Sequence, residues 1–274
     1  MAACAPRDDL PFALYGPLPP HVAGGERRRR PAERLLDAAA HFVLPAWCAG
    51  CGERLPWRPS ALGLCVRCRE ALPRPPACRC AGCGSAAAPG PGQWLCTGCS
   101  RSPPACDGLH AAWSYRPPID EVVRRLKYGR LEFLAEDLAA GIAAAVAAAG
   151  EEHDLVTPVP LHWRRRLERG YDQAALLGVV VARRLALPYR PVLVRRRATP
   201  PQAARTAALR RTNVAGAFRC RARRRAAVEG ARVLLVDDVA TTGATLESAS
   251  RALKAAGAAR VTAAVAALTP PRGG

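Results

Sequence analysis

Lysine is almost absent from this chain: of 41 basic residues, all but Lys127 and Lys254 are arginine. Acids are few as well, 22 in all, so the formal net charge is +19. Two readings of that excess stand side by side. One is codon bias with a solvated arginine surface, and the other is attraction to polyanions such as nucleic acid or phosphorylated ligands. Aromatic residues make up 5% of the chain, which leaves few platforms on which unpaired bases could stack. Long apolar runs are missing too. The weakly polar stretch Leu138–Gly150 is mostly alanine and too short for a bilayer. The N-terminus lacks the basic region and apolar core of a secretory signal. The expectation is a cytoplasmic chain without a transmembrane segment.

Cysteine, by contrast, is plentiful, with 12 residues. In a reducing compartment, close regular spacing points to metal ligands rather than disulfides. Cys48-x₂-Cys51 with Cys65-x₂-Cys68 forms one set, and Cys80-x₂-Cys83 with Cys96-x₂-Cys99 a second. The intervening loops have thirteen and twelve residues, and Gly52 and Gly84 follow the first pair of each set. A glycine there permits the tight turn that aims backbone N–H groups at thiolate sulfur. The pattern predicts two structural Zn²⁺ sites, a double zinc ribbon with all four positions filled by protein. The metal would supply folding energy to a segment with few large apolar residues. Spacing leaves the pairing of the sets open, and Cys78 stands close enough to replace Cys80. Cys4, Cys106 and Cys220 have no partner at ligand spacing.

Composition divides the chain into three parts. Residues 1–44 read as a disordered arm ending in a short helix at Glu33–Leu44. Residues 45–106 hold the cysteine sets, and residues 107–270 alternate strand and helix patterns. The strands expected are Leu109–Tyr115, Leu155–Pro160, Val192–Arg195, Arg232–Val236 and Arg260–Leu268. The helices expected are Ile119–Tyr128, Leu131–Ala149, Asp172–Leu187 and Thr245–Ala256. In the third of these, Ala175, Leu176, Val179, Val180 and Leu185 share a face. Pro201–Asn213 reads as a loop with a short helix. This alternation predicts an α/β domain with a mostly parallel sheet.

The segment Val233-Leu-Leu-Val-Asp-Asp-Val-Ala-Thr-Thr-Gly-Ala-Thr245 is the most informative. A buried strand meets two acids, then a small-residue loop, then a helix start. Loop amides and a helix N-terminus suit one phosphate monoester. Gly243 lets the backbone approach the ligand, and Thr241, Thr242 and Thr245 add hydroxyls. Asp237 and Asp238 would repel that phosphate at contact, but one step away they can accept hydrogen bonds from vicinal hydroxyls. Phosphate on one side and a diol on the other describe a ribose 5-phosphate. The Gly-Lys-Ser/Thr ending of a Walker A loop is missing.

This string resembles the phosphoribosyl-pyrophosphate (PRPP) motif of type I phosphoribosyltransferases, with Ala240 smaller than usual. Other strings narrow the resemblance: Leu126-Lys-Tyr128, Asp154–His162 followed by Arg164, Arg165 and Arg166, Arg169-Gly-Tyr-Asp-Gln173, Arg197-Ala-Thr199 with Gln202, Arg210–Val214, and Ala217-Phe218. In this order, over roughly Cys48 to Leu268, the chain is similar to the ComF family of competence proteins. Family members usually carry Asn where this chain has Asp172. The resemblance implies a type I phosphoribosyltransferase fold preceded by a small double zinc-ribbon domain. It implies PRPP or a related ribose phosphate with Mg²⁺ at Asp237, Asp238, Ala240, Thr241, Thr242, Gly243, Ala244 and Thr245, with the two acids as catalytic candidates.

Val159–His162 could form the pyrophosphate loop, with Lys127, Arg164, Arg166 and Arg169 as cationic clamps. The family implies a role in uptake of single-stranded DNA at the inner face of the membrane, beside a helicase-like competence protein. Trp163 and Tyr171 flank the basic loop as stacking candidates. Two alternatives stay open: an active phosphoribosyltransferase with an unidentified acceptor, and a PRPP-sensing regulator. Lys254, and the arginines of Arg195–Arg197 and Arg221–Arg225, read as structural or solvated.

Overall fold

The structure is a computed structural model, and it describes residues 47–55, 63–76, 78–86, 95–129, 133–196 and 216–269. The arm, the helix expected at Glu33–Leu44, the loop Pro201–Asn213 and the strings Arg197–Gln202 and Arg210–Val214 lie outside the described residues.

Four strands form one sheet: β1 (Gly108–Ser114), β2 (Leu155–Pro158), β5 (Arg232–Ala240) and β6 (Arg260–Leu268). Their order is β1-β6-β5-β2 and every pairing is parallel. The central strands β5 and β6 are covered on both faces, the usual condition of parallel strands. Alternate residues of β5 go to different cores. Leu234 and Val236 pack toward α3 (Ile119–Tyr128), α4 (Leu134–Ala147) and α6 (Gln173–Arg184). Val233 and Leu235 pack toward α7 (Ala244–Lys254) and a small antiparallel pair, β3 (Leu193–Arg195) with β4 (Phe218–Cys220).

β6 is rich in alanine, a residue depleted in strands. Here small side chains suit a strand pressed from both faces. The same logic acts at Gly141 of α4, where a Cβ would stand 2.2 Å from the Trp113 ring. Only glycine admits that indole against the helix.

The structure moves one expected face. On α6 the buried residues are Gln173, Ala174, Leu177, Gly178, Val181 and Ala182; of the expected stripe, Leu176, Val180 and Leu185 pack at the edge of the same core, Ala175 is half-buried and Val179 is exposed. The helix is apolar nearly all round, so periodicity discriminates poorly. Packing selects the side with small residues, where a Cβ on Gly178 would already lie 3.1 Å from the Tyr189 ring. β4, the 3₁₀ helix Ala222–Ala227 and the helix α5 (Trp163–Arg169) have no counterpart among the expected elements.

The cysteine segment is less isolated than its composition suggests. Cys48, Ala49, Leu55 and Leu64 belong to the same buried cluster as Ile119, Val122, Leu126, Leu134 and Leu138. Between Cys65 and Cys68 the short helix α1 (Val66–Glu70) begins, and α2 (Thr97–Arg101) starts in the same way after Cys96. Ser114 at the end of β1 donates from its N–H to Pro73 O at 2.8 Å and from its hydroxyl to Arg74 O at 3.0 Å.

Candidate functional site

Asp237 and Asp238 sit on the last turns of β5 pleat, not beyond it. The strand expected to end at Val236 runs four residues further, to Ala240, because β6 continues alongside: Asp237 pairs with Val265 and Ala240 with Leu268. Strand alternation starts the two side chains on opposite sides of β5, but at this open end of the sheet both carboxylates stay close enough to feel the Lys127 charge. Asp238 turns to the α3 side, where its Oδ1 lies 3.0 Å from Lys127 Nζ. Asp237 Oδ1 accepts the Asp238 N–H at 2.8 Å.

The electrostatics follow from this crowding. Burial and the neighbouring Asp238 push the Asp237 carboxyl up to about 8, against the opposing pull of the Asp238 N–H and Lys127. Burial alone would lower Lys127, but the Asp238 carboxylate outweighs it and keeps the ammonium charged. Tyr115, just past β1, shares these surroundings, and its hydroxyl is raised by burial with Lys127 opposing.

Thr241, Thr242 and Gly243 connect β5 to α7. Gly243 has φ 72° and is the N-cap of α7, with no side-chain cap bond. A left-handed residue turns the chain sharply into the helix. The first N–H groups of α7 therefore have no side-chain cap from the N-cap residue, the arrangement that suits an anion. A Cβ on Gly243 would meet nothing within 4 Å, so the approach is open. Thr242, Ala244 and Thr245 are half-buried around it, and Thr241 is exposed.

The second loop lies beside the first. Val159 N donates to Val236 O at 2.9 Å, extending the β2–β5 ladder. Pro160–His162 follow, and α5 begins at Trp163. Asp172 fixes this loop. It is the N-cap of α6, its Oδ1 accepting Ala175 N–H at 3.2 Å, while its Oδ2 accepts Leu161 N–H at 3.0 Å. Asp172 thus holds two backbone donors with its two oxygens.

The clamps differ from one another. Arg166 is exposed on α5. Arg169 donates to Gln173 Oε1 at 3.0 Å and Tyr128 Oη at 3.1 Å, and its guanidinium carbon stands 4.8 Å from the Tyr128 ring centre. It braces α5 against α3 and α6. Arg164 has its backbone in α5, and its side chain lies outside the described atoms. Tyr171 donates its hydroxyl to Leu126 O and is half-buried, so it is spent on the scaffold.

Arg195, expected among the solvated arginines, is instead half-buried. It stands over the Phe218 ring at 5.3 Å. Burial lowers its guanidinium pKa, with Arg165 acting the same way and Asp237 opposing. Its signal is absent from sequence because arginine is so common here. Lys254 does play a structural part, bridging Asp107 at 2.6 Å and Ala259 O at 2.9 Å.

The cysteines separate into two tetrads, Cys48, Cys51, Cys65 and Cys68, and Cys80, Cys83, Cys96 and Cys99, with the sulfurs of each within 4.8 Å of one another. The sets are not cross-braced, and Cys78 lies outside both. Backbone N–H groups of Gly50, Cys51 and Cys65 approach Cys48 Sγ at 3.3–3.5 Å, and Cys96 N approaches Cys80 Sγ at 3.3 Å. Burial raises the Cys48 and Cys80 thiols, but these donors prevail and bring them down to about 6 and about 7. Four sulfurs with one already inclined to ionise fit a thiolate-bound tetrahedral zinc ion.

The family model described as phosphoribosyl transferase domain matches residues 172–273. The DNA utilization protein YhgH of Salmonella typhi is 33% identical over 226 residues, covering 80% of this chain and 96% of that protein. Competence protein F of Haemophilus influenzae is 32% identical over 204 residues, covering 71% of this chain and 86% of that protein. Among solved structures, the glutamine PRPP amidotransferase of B. subtilis complexed with ADP and GMP aligns with TM-score 0.33 and 26% identity, over 47% of this chain and 25% of that one. No helix among the described residues is long and apolar enough to cross a membrane.

Proposed function

Since the chain belongs to the ComF family, we propose that it binds PRPP or a related ribose 5-phosphate at the β5–α7 cradle and serves the handling of single-stranded DNA during uptake. The observation that carries the ligand is the junction itself: two acids at a strand end, a left-handed Gly243, and an uncapped helix N-terminus. Amides and hydroxyls of Ala240–Thr245 take the 5-phosphate. Asp237 and Asp238 accept the ribose hydroxyls. The diphosphate, carried with Mg²⁺, reaches toward the Pro160–His162 loop, with Lys127, Arg164, Arg166 and Arg169 as its cationic surroundings. Lys127 is engaged with Asp238. A diol that claims Asp238 would release that ammonium toward the diphosphate.

The two tetrads hold structural zinc in residues 45–106, ahead of a ligand-binding domain over residues 107–270. The DNA-handling role draws on the names of the relatives and on the +19 charge. It places the protein in the cytoplasm, at the inner membrane face, with a helicase-like competence protein as partner. The intact acid pair also favours a second reading, a working phosphoribosyltransferase. A PRPP-sensing regulator would need the same pocket without turnover.

Calorimetry with Mg²⁺–PRPP on zinc-replete protein tests the pocket. Saturable binding is expected for the wild type and loss of it for Asp237→Asn/Asp238→Asn. A folded wild type that takes up no PRPP would remove the ligand assignment. Pyrophosphate release that depends on either acid would select the enzyme.

A further inference from the structure

The loop Thr241–Gly243 joins β5 to α7 and has an anchor at each end. Behind it, Ala240 closes β5 and pairs with Leu268 of β6, and Thr269 N–H donates to Ala240 O at 2.8 Å. Ahead of it, Gly243 O accepts the Glu247 N–H at 2.8 Å, the bond that closes the first turn of α7. One outside element touches both anchors, the tetrad Cys80, Cys83, Cys96 and Cys99.

Gly84 follows Cys83 with φ 73°, and a Cβ there would stand 2.5 Å from Leu268 Cδ2 and 3.3 Å from Leu109 Cδ2. The turn after the second CxxC therefore presses on the leucine that pairs with Ala240. The chain leaving Cys99 returns past its own tetrad, where a Cβ on Gly82 would meet Pro104 Cγ at 2.8 Å. The next residue, Ala105, donates its N–H to Glu247 Oε2 at 2.8 Å, and Glu247 Oε1 accepts from Arg251 Nε at 2.6 Å. Both carboxylate oxygens are engaged, which fixes the Glu247 side chain. The first tetrad stands elsewhere. Gly50 closes on Pro118, and Leu64 packs with Leu126 and Leu134, behind the wall that carries Lys127.

We propose that the second tetrad is the brace of the phosphate cradle, and that Glu247 is the positioning residue through which it acts. Metal on the four sulfurs holds Gly84 and Ala105 in place. Gly84 backs the Ala240 end of the loop through Leu268, and Ala105 backs the Gly243 end through Glu247. This rests on the ribose-phosphate reading of the cradle and adds what sets its shape. Backbone donors bind an anion well when their spacing is fixed before it arrives, and a short loop pinned at both ends meets that condition. Metal loss from this set loosens the phosphate half of the pocket. Metal loss from the first set loosens the Lys127 half.

The test pairs amide hydrogen exchange with ribose 5-phosphate calorimetry on the full-length protein, with zinc content measured for every variant. Cys96→Ser and Cys65→Ser should each bind one zinc fewer. Cys96→Ser should speed exchange in Ala240–Leu246 and leave Ile119–Tyr128 unchanged, and Cys65→Ser should do the reverse. Glu247→Ala leaves both tetrads intact, so it carries the test if Cys96→Ser does not fold. It should keep its zinc and speed the same Ala240–Leu246 amides. Glu247→Gln has the same charge as Glu247→Ala but keeps an acceptor for Ala105 N–H. The Ala variant should therefore bind ribose 5-phosphate about fivefold more weakly than the Gln variant, the scale of one lost hydrogen bond. Wild-type exchange rates in Ala240–Leu246 for both Cys96→Ser and Glu247→Ala would overturn the brace. Equal loosening of that segment by Cys65→Ser would overturn it as well, since the effect would then be general instability. A wild type that takes up no ribose 5-phosphate, with the exchange pattern as expected, would remove the ligand and leave the brace standing.

Discussion

At the scale of single residues, the pocket is held by charges that constrain one another. Lys127 is one of two lysines in an arginine-rich chain, and it meets Asp238 at 3.0 Å with both side chains mostly buried. A compact ammonium fits where a planar guanidinium would need more room. Lys127→Ala leaves a buried carboxylate uncompensated and should cost about 1–3 kcal/mol of stability, read from denaturant midpoints. Asp237 gives a pH signature. Its folded pKa is raised to about 8, above the usual unfolded value of about 4. The folded state therefore binds that proton more tightly. The stability it contributes is complete below the unfolded value and is lost as pH rises through about 8. Thermal melts between pH 5 and pH 9 should show wild type falling more steeply than Asp237→Asn. Parallel curves for the two proteins would refute the assignment of that slope to Asp237.

At the scale of elements, Asp172 ties a loop to a helix. One carboxylate caps α6 and also holds Leu161 N–H. Asp172→Ala should cost about 1–2 kcal/mol, as loss of a helix cap does. Asp172→Asn keeps a single acceptor oxygen. It should retain the cap, lose the Leu161 bond, and cost only about 0.5–1 kcal/mol. Calorimetry on the Asn variant should then show a weaker grip on Mg²⁺–PRPP than its small stability loss would suggest, because the loop is freed while the helix stays. Elements whose pattern was local were legible in sequence. α3 and β6 run over the expected residues because one has a clear helical stripe and the other a closed apolar run. α6 was legible as a helix but not in its face, since nearly every side of it is apolar.

At the scale of the molecule, the cysteine sets are bolted to the sheet domain. A Cβ on Gly50 would come within 2.7 Å of Pro118 at the start of α3, and Leu64 shares a core with α3 and α4. Metal removal should therefore be felt beyond the ribbon. Cys48→Ser is expected to bind one zinc fewer by metal analysis and to lower Tm, while Cys220→Ser should change neither. A Cys48→Ser protein with an unshifted Tm would mean that the first set folds without influence on its neighbour.

The sequence alone determined the chemistry that depends on short spacing. The cysteine pairs, the acid–acid–small-loop string and the alternation of strand and helix are each local patterns, and local patterns survive in one dimension. It could not show which sulfurs meet, which face of α6 is buried, or that β5 carries its acids into the ladder with β6. Nor could it bring Lys127 to Asp238, Arg195 toward Asp237 or Tyr128 to Arg169. Those contacts join residues far apart in the chain, and packing against neighbouring strands and helices chooses among options that local pattern leaves equal.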